Sequence, residues 1–246
     1  MTNSAAPDGP VDRSSPLSRR SLLKLGAVTG AATLLGALST ELASAASPDI
    51  AHGPRSVAQV ALTFHGAGDK AMAQELLAIL KSSKTPVTVF AVGAWLKVDN
   101  TIARQILGDG HDLGNHTMNH RQSKTLTAAQ LDSEISGCAK ELISLTGNHG
   151  SFFRPSGTQY STPLIRKSAL KYGYKKCISY DVDSHDYQDV GKAAVITNVM
   201  KTVKNGSIVS FHFGHQDTID ALPTLITQLH TKGLTPVTLS TMLGTI

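Results

Sequence analysis

Short runs rich in Val, Ile and Phe recur along this chain, and most are followed by a stretch with helical spacing. The runs lie at residues 57–64, 86–92, 111–115, 151–154, 175–181, 207–213 and 235–239. The spacing predicts helices over 70–81, 100–107, 127–145, 162–172, 190–203 and 218–232. A run that is apolar at consecutive positions has no solvent face, so it is covered on both sides. Strands of that kind alternating with helices build a mostly parallel sheet, because a parallel connection has to cross back over the sheet. About seven such units suit an α/β fold, a closed or partly closed (β/α)7-type barrel. A doubly wound open sheet is the alternative, and in either case ligands gather at the carboxyl ends of the strands. Thr127 followed by Gln130 reads as a capping box. Gly108, Gly147 and Gly233 follow helices, where a left-handed cap is favoured.

Residues 1–45 stand apart from this pattern. "SRRSLLKLG" places Arg19 and Arg20 just before the apolar stretch "LGAVTGAATLLGAL", which is too short to span a bilayer. The small residues "ASA" at 43–45 close it, so the segment reads as a twin-arginine export signal with cleavage after Ala45. Residues 46–56 read as a flexible lead-in and 57–246 as one catalytic domain. No membrane span is expected once the signal is removed, and the location is extracytoplasmic. The net charge of +5 is spread over scattered Lys and Arg, and only 5% of residues are aromatic, so no nucleic-acid partner is expected. The two cysteines, Cys138 and Cys177, read as separate small core residues.

Polar residues of chemical use fall at the ends of the predicted strands. The first run leads into His65 and Asp69, the third into "GNHTMNH" with His116 and His120, and the fourth into "FFRPSG" with Arg154. The fifth leads into "DVDSHDY" with Asp183 and Asp186, and the sixth into "FHFGH" with His212 and His215. A barrel brings these ends onto one rim. His116 and His120 are four apart, so on a helical turn their side chains lie roughly 5–6 Å apart on one face. Two imidazoles at that spacing can hold a zinc-like ion, given a third ligand. Taken singly, each residue has an ordinary structural reading: a strand-end histidine, a surface cation, a helix-capping aspartate.

The stretches "ALTFHGAGD", "VTVFAVGAWL", "GHDLGNHTMNH", "FFRPSGT", "DVDSHDY" and "GSIVSFHF", in this order, resemble the polysaccharide deacetylases of carbohydrate esterase family four, which include chitin, peptidoglycan and acetylxylan deacetylases. The resemblance runs from about residue 57 to the C-terminus and implies a distorted, partly closed (β/α)7-type barrel with a parallel sheet. It implies metal-assisted hydrolysis of N-acetyl, or less often O-acetyl, groups on an acetylated glycan. The implied cofactor is a divalent metal, usually Zn2+, with Co2+ or similar ions as substitutes. His116 and His120 match the metal histidines, His212 the general acid, Asp186 the aspartate that orients it, and Arg154 the arginine that positions the base. Pro155 and Ser156 match the segment that helps hold the oxyanion, and Tyr187 stands where an acetyl-pocket Trp is usual. The first motif departs: His65 stands at the base position and Gly66 at a metal-ligand position. The expectation is that a flexible "GAG" lets Asp69 fold back as third ligand with His65 as base. The exchanged arrangement, His65 on the metal and Asp69 as base, is the variant. A barrel that binds sugar or metal without turnover is the alternative function. Substrate choice is expected in the rim segments 95–100 and 159–161, with Trp95 either a stacking platform or core.

Overall fold

A computed structural model describes residues 49–244; the expected signal, its cleavage site and the first part of the lead-in lie outside the described residues. Six parallel strands form the sheet: β1 (Gln59–Gly66), β2 (Thr88–Ala91), β3 (Asp112–Asn115), β4 (Val182–Asp183), β5 (Ser207–His212) and β6 (Thr235–Pro236). Their order is β3-β2-β1-β5-β4, with β6 paired to the start of β1. The helices are α1 (Lys70–Ser82), α2 (Gly93–Val98), α3 (Ile102–Gly108), α4 (Ala128–Thr146), α5 (Pro163–Lys171), α6 (Lys192–Thr202), α7 (Gln216–Thr231) and α8 (Leu239–Leu243). No helix among the described residues is long and apolar enough to cross a membrane.

The expected runs at 151–154 and 175–181 do not become full strands. Single bridges, Asn115 to Phe153 and Phe153 to Cys177, carry the sheet round from β3 toward β4. The barrel is therefore distorted and incompletely closed, as expected. Arg154 explains part of the interruption: its guanidinium takes the carbonyls of Ile178 and Ser179 at 3.2 and 3.0 Å as partners.

The strands are apolar throughout because both faces are covered. On β1, Val60, Leu62 and Phe64 face the helices and join a core with Leu76, Leu77, Phe211 and Leu225. The alternate residue Ala61 packs inward with Phe90, Phe152, Ile178 and Ile208. Above Ala61 the same inward row continues as Thr63 and then His65, so β1 runs from an apolar floor to a polar rim. Both cysteines are buried and free, and burial lifts each thiol to about 12, which keeps them unreactive at neutral pH.

Two helices were not expected. Residues 93–98 form α2 rather than a rim loop, and Trp95 is a core residue, 9% exposed, not a sugar platform. Residues 239–243 form α8, capped by Thr238. The capping box of Thr127 and Gln130 is present, and Gly147 closes α4 in the left-handed conformation. Gly108 instead lies inside the end of α3, and Gly110 takes the positive φ.

Candidate functional site

Parallel register brings the site together. His65 and His212 are paired residues at the ends of β1 and β5, and His116 follows directly on the end of β3. Arg154 lies on the segment between β3 and β4, and Asp186 lies just beyond β4. These residues meet in a pocket of about 400 Å3 lined by His65, His116, His120, Pro155, Tyr187 and His212, with Gln122, Gln159 and Tyr180 on its wall. Among the described residues, four of the five non-glycine residues with positive φ belong to the loops around it: Thr117, His120, His185 and Asp189. Such backbone strain collects where tertiary structure holds a functional geometry.

His116 and His120 are not on a helical turn. Asn115 accepts from the N–H of Thr117, the carbonyls of Thr117 and Met118 take N–H groups of α2, and buried Glu134 takes the N–H of Asn119. These bonds hold 116–120 as a loop, yet the two rings still sit 5.0 Å apart. His116 Nδ1 donates to the Arg154 carbonyl at 2.8 Å, which leaves a lone pair on Nε2. That Nε2 is buried with no hydrogen-bond partner.

A chain of hydrogen bonds crosses the floor of the pocket, and its direction follows from Arg154. The fully buried guanidinium stacks over Phe90 at 4.2 Å and donates to Thr63 Oγ1 and to His65 Nε2 at 2.9 and 3.2 Å. Burial lowers its pKa to about 9, so it remains a cation at neutral pH. An arginine has no acceptor, so His65 Nε2 carries the lone pair. Neutral His65 then has its proton on Nδ1, which donates to His212 Nε2 at 2.7 Å. His212 in turn donates from Nδ1 to Asp186 Oδ1 at 2.8 Å. Asp186 Oδ2 accepts from the His212 N–H and from Thr218 Oγ1 at 2.7 and 2.6 Å. Every donor in the series Arg154, His65, His212, Asp186 points the same way.

The electrostatics agree with this polarity. Burial, then the neighbouring His116, His212 and Arg154, hold the pKa of His65 well below the usual histidine value. Burial does the same to His116 and, less strongly, to His120. Burial opposes ionisation of Asp186, but the hydrogen bonds from His212 and Thr218 outweigh it and keep the carboxyl below its ordinary pKa. The pocket floor is thus a set of neutral imidazoles between one buried cation and one buried anion.

Asp69 does not join this group. Its exposed carboxylate accepts from the N–H groups of Ala71 and Met72 as the N-cap of α1. The "GAG" turn is pinned: Trp95 Nε1 donates to the Gly68 carbonyl at 3.1 Å, and Val92 N–H to that of Gly66 at 3.0 Å. The expected fold-back of Asp69 and its exchanged role as base are therefore both corrected. His65 Nε2 faces the Arg154 guanidinium and its Nδ1 carries the proton, while His212 Nε2 accepts from that Nδ1. His65 and His116 stack 4.4 Å apart at 14°, and near-parallel rings do not direct in-plane lone pairs at a common ion. Among the described residues no three His, Cys, Asp or Glu side chains are placed to hold a metal ion. The donor set fits a cation on two imidazoles, His116 and His120, but not a third protein ligand.

Of the remaining expected residues, Pro155 and Tyr187 line the pocket, and the Tyr187 ring lies 5.4 Å from His212. Ser156 is buried behind the wall, its hydroxyl among Thr117, Ser123 and the Arg121 carbonyl. Asp183 accepts from the N–H of His185, and His215 pairs with Asp189 at 2.8 Å on the rim. Thr63, Thr218 and Tyr180 were not expected at the site. Thr63 was legible as the inward position two before His65 on a period-two strand; Thr218 and Tyr180 carried no sequence signal.

The family model described as polysaccharide deacetylase matches residues 52–177, and the model of the TAT (twin-arginine translocation) pathway signal sequence matches residues 16–36. A peptidoglycan-N-acetylglucosamine deacetylase of Bacillus cereus is 29% identical to this chain, over 77% of it and 90% of the relative. The solved structure of the Bc1960 peptidoglycan N-acetylglucosamine deacetylase matches with a TM-score of 0.75 at 27% identity, covering 80% of this chain and 93% of that one. BA3943 of Bacillus anthracis, described as a CE4 family pseudoenzyme, matches with a TM-score of 0.74 at 25% identity, covering 79% and 68%.

Proposed function

This chain belongs to the polysaccharide deacetylase family and carries a twin-arginine export signal, and from that premise we propose that it hydrolyses N-acetyl groups of an acetylated cell-wall or extracellular glycan outside the cytoplasm. The observation that carries this reading is the one-directional chain from Arg154 through His65 and His212 to Asp186 beneath an open pocket.

The chain leaves His212 neutral, with its Nε2 lone pair facing His65 and its Nδ1 proton on a buried carboxylate. That is the form a general base needs, and Asp186 stabilises the imidazolium once a proton arrives. A protonated His212 Nε2 would set N–H against the His65 N–H, so the 2.7 Å contact has to open before His212 takes a proton. Water entering at that point attacks the acetyl carbon and gives its proton to His212. The same proton then passes to the glycan nitrogen as the C–N bond breaks, releasing acetate and a free amine. His116 and His120 are the residues that would hold a divalent cation such as Zn2+ or Co2+, which would supply Lewis-acid polarisation of an acyl oxygen. Tyr187, half exposed beside His212, offers an aromatic face to a sugar ring, and Gln122 and Gln159 offer amides to its hydroxyls.

A second reading, binding of the glycan without turnover, is favoured by one observation: Asp69 caps α1 and leaves the imidazole pair without a carboxylate. The likeness to BA3943, described as a pseudoenzyme, points the same way. Acetate release from acetylated chito-oligosaccharides, peptidoglycan fragments and acetylxylan, with and without added Zn2+ or Co2+, decides between them. Turnover on any of these that is lost in His212→Asn supports the deacetylase. Saturable glycan binding with no acetate above the His212→Asn background supports the binder.

A further inference from the structure

We infer that Asp49 is a positioning residue for the glycan: through Ser161 it holds Gln159 and the wall of the pocket that Gln159 forms. The role of that wall rests on the glycan reading above; the contacts that fix it do not. The segment expected as a flexible lead-in is, over residues 49–55, bonded into the barrel. Ile50 pairs in parallel with Ile178: its N–H donates to the Cys177 carbonyl at 2.9 Å, and its carbonyl accepts from Ser179 N–H at 2.8 Å. Gly53 N–H donates to the Gly206 carbonyl at 2.8 Å beside β5, and Arg55 pairs with Asp181 at 2.6 Å. Residues 50–53 thus fill the seam between segment 177–179 and β5. The other edge of that segment is taken by Phe153, whose carbonyl accepts from Ile178 N–H at 2.8 Å.

At the head of this strap the Asp49 carboxylate is only 1% exposed, and it is bonded to the loop that leads into α5. Oδ2 accepts from the Ser161 N–H at 2.6 Å, and Oδ1 accepts from the Ser161 hydroxyl. Arg166 of α5 stands 3.6 Å from Oδ1 and donates to the Ser161 carbonyl at 2.8 Å, so the buried charge is paired. Ser161 is thereby held at its N–H, its hydroxyl and its carbonyl. Two residues earlier, Gln159 lines the pocket beside Tyr180. The Gln159 carbonyl accepts from Ser179 Oγ at 2.8 Å, and its side-chain amide donates to the Tyr180 carbonyl at 3.1 Å. Ser179 is also bonded to Ile50, so the strap reaches Gln159 from two sides. With one amide N–H bonded to Tyr180, Gln159 keeps its carbonyl oxygen and second N–H for the hydroxyl or acetamido groups of a sugar. A side chain fixed before binding loses less freedom when the ligand arrives. The carbonyls that Arg154 takes are held instead by the backbones of Ile50 and Phe153, which a change in the Asp49 side chain leaves in place.

Acetate release from an N-acetylated chito-oligosaccharide by the full chain, with amide hydrogen exchange measured without glycan, tests this. In Asp49→Ala the amides of 158–161 are expected to exchange about tenfold faster or more, with those of β1 and β5 unchanged. KM is expected to rise about three- to tenfold with kcat within about twofold of the parent. Ser161→Ala, which removes one of the two donors to Asp49, is expected to show the same pattern to a smaller extent. Gln159→Ala is expected to raise KM by itself, and Asp49→Ala added to it to change KM by no more than about twofold further. A fall in kcat at unchanged KM, additive effects of Asp49→Ala and Gln159→Ala on KM, or faster exchange spread over the whole domain overturns the inference. Should the parent release no acetate, the calorimetric Kd of the same oligosaccharide replaces KM. A parent that neither turns over nor binds it overturns the glycan reading, and exchange at 158–161 still decides whether Asp49 holds the wall. Should Asp49→Ala not fold, Ser161→Ala, alone and with Gln159→Ala, carries the same comparison.

Discussion

At the scale of single residues, the arrangement separates His212 from His65. His212 Nε2 accepts from His65 Nδ1 at 2.7 Å and is freed when that contact opens, whereas His65 Nε2 faces the buried guanidinium of Arg154 at 3.2 Å. Removing a general base typically costs 10²–10⁴ in rate, so His212→Asn should lower acetate release by roughly 10²–10⁴-fold. His65→Gln, which removes one hydrogen-bonded link rather than the base, should lower it by about tenfold, in line with about 1.4 kcal/mol. Equal losses in the two variants, measured as initial rates of acetate release, would return the base to His65. Asp186→Asn turns an N–H toward His212 or toward Thr218, and in the first case forces the wrong tautomer on His212. A loss of roughly 10³–10⁴ in kcat with little change in KM is expected.

At the scale of elements, Asp69 and Thr127 both cap helices. Loss of an N-cap side chain costs about 1 kcal/mol, and for a domain of this size that lowers Tm by about 2–4 °C. Asp69→Ala and Thr127→Ala should therefore show similar drops in Tm, with acetate release per folded molecule within about twofold of the parent in both. A collapse of activity in Asp69→Ala at unchanged Tm would give the carboxylate back its catalytic role. Segment 93–98 shows why sequence reading failed locally. "GAWLKV" is too short to display helical periodicity, and only its bonds to 117–118 and the packing of Trp95 make it a helix.

At the scale of the whole molecule, the cluster of neutral histidines links stability to pH. His65, His116 and His120 titrate below 6.5 in the folded protein because burial disfavours their charged forms, whereas the unfolded chain binds those protons near 6.5. The unfolded state binds more protons in that window, so stability is full above about 6.5 and declines as pH falls from there toward the lowered values. Tm measured in chelator between pH 7.5 and 5 should fall on acidification, and less steeply in His116→Asn. A flat profile would mean that these rings are already charged or solvated in the fold.

The sequence by itself determined the class of fold and the list of polar side chains that meet at the rim. Apolar runs alternating with helical spacing admit a parallel sheet covered on both sides, and parallel strands end on one rim, so His65, His116, Arg154, Asp186 and His212 had to be neighbours. Tertiary structure decided what those neighbours do. Whether Asp69 turns inward depends on Trp95 and Gly214, which are 26 and 145 residues away from it in sequence but pack against its turn. Which nitrogen holds each proton depends on a guanidinium that is buried only once the barrel has packed around it. Spacing along a chain specifies which groups can meet; the direction of a hydrogen bond and the space for a side chain are set by the atoms on the far side, and those arrive only with packing.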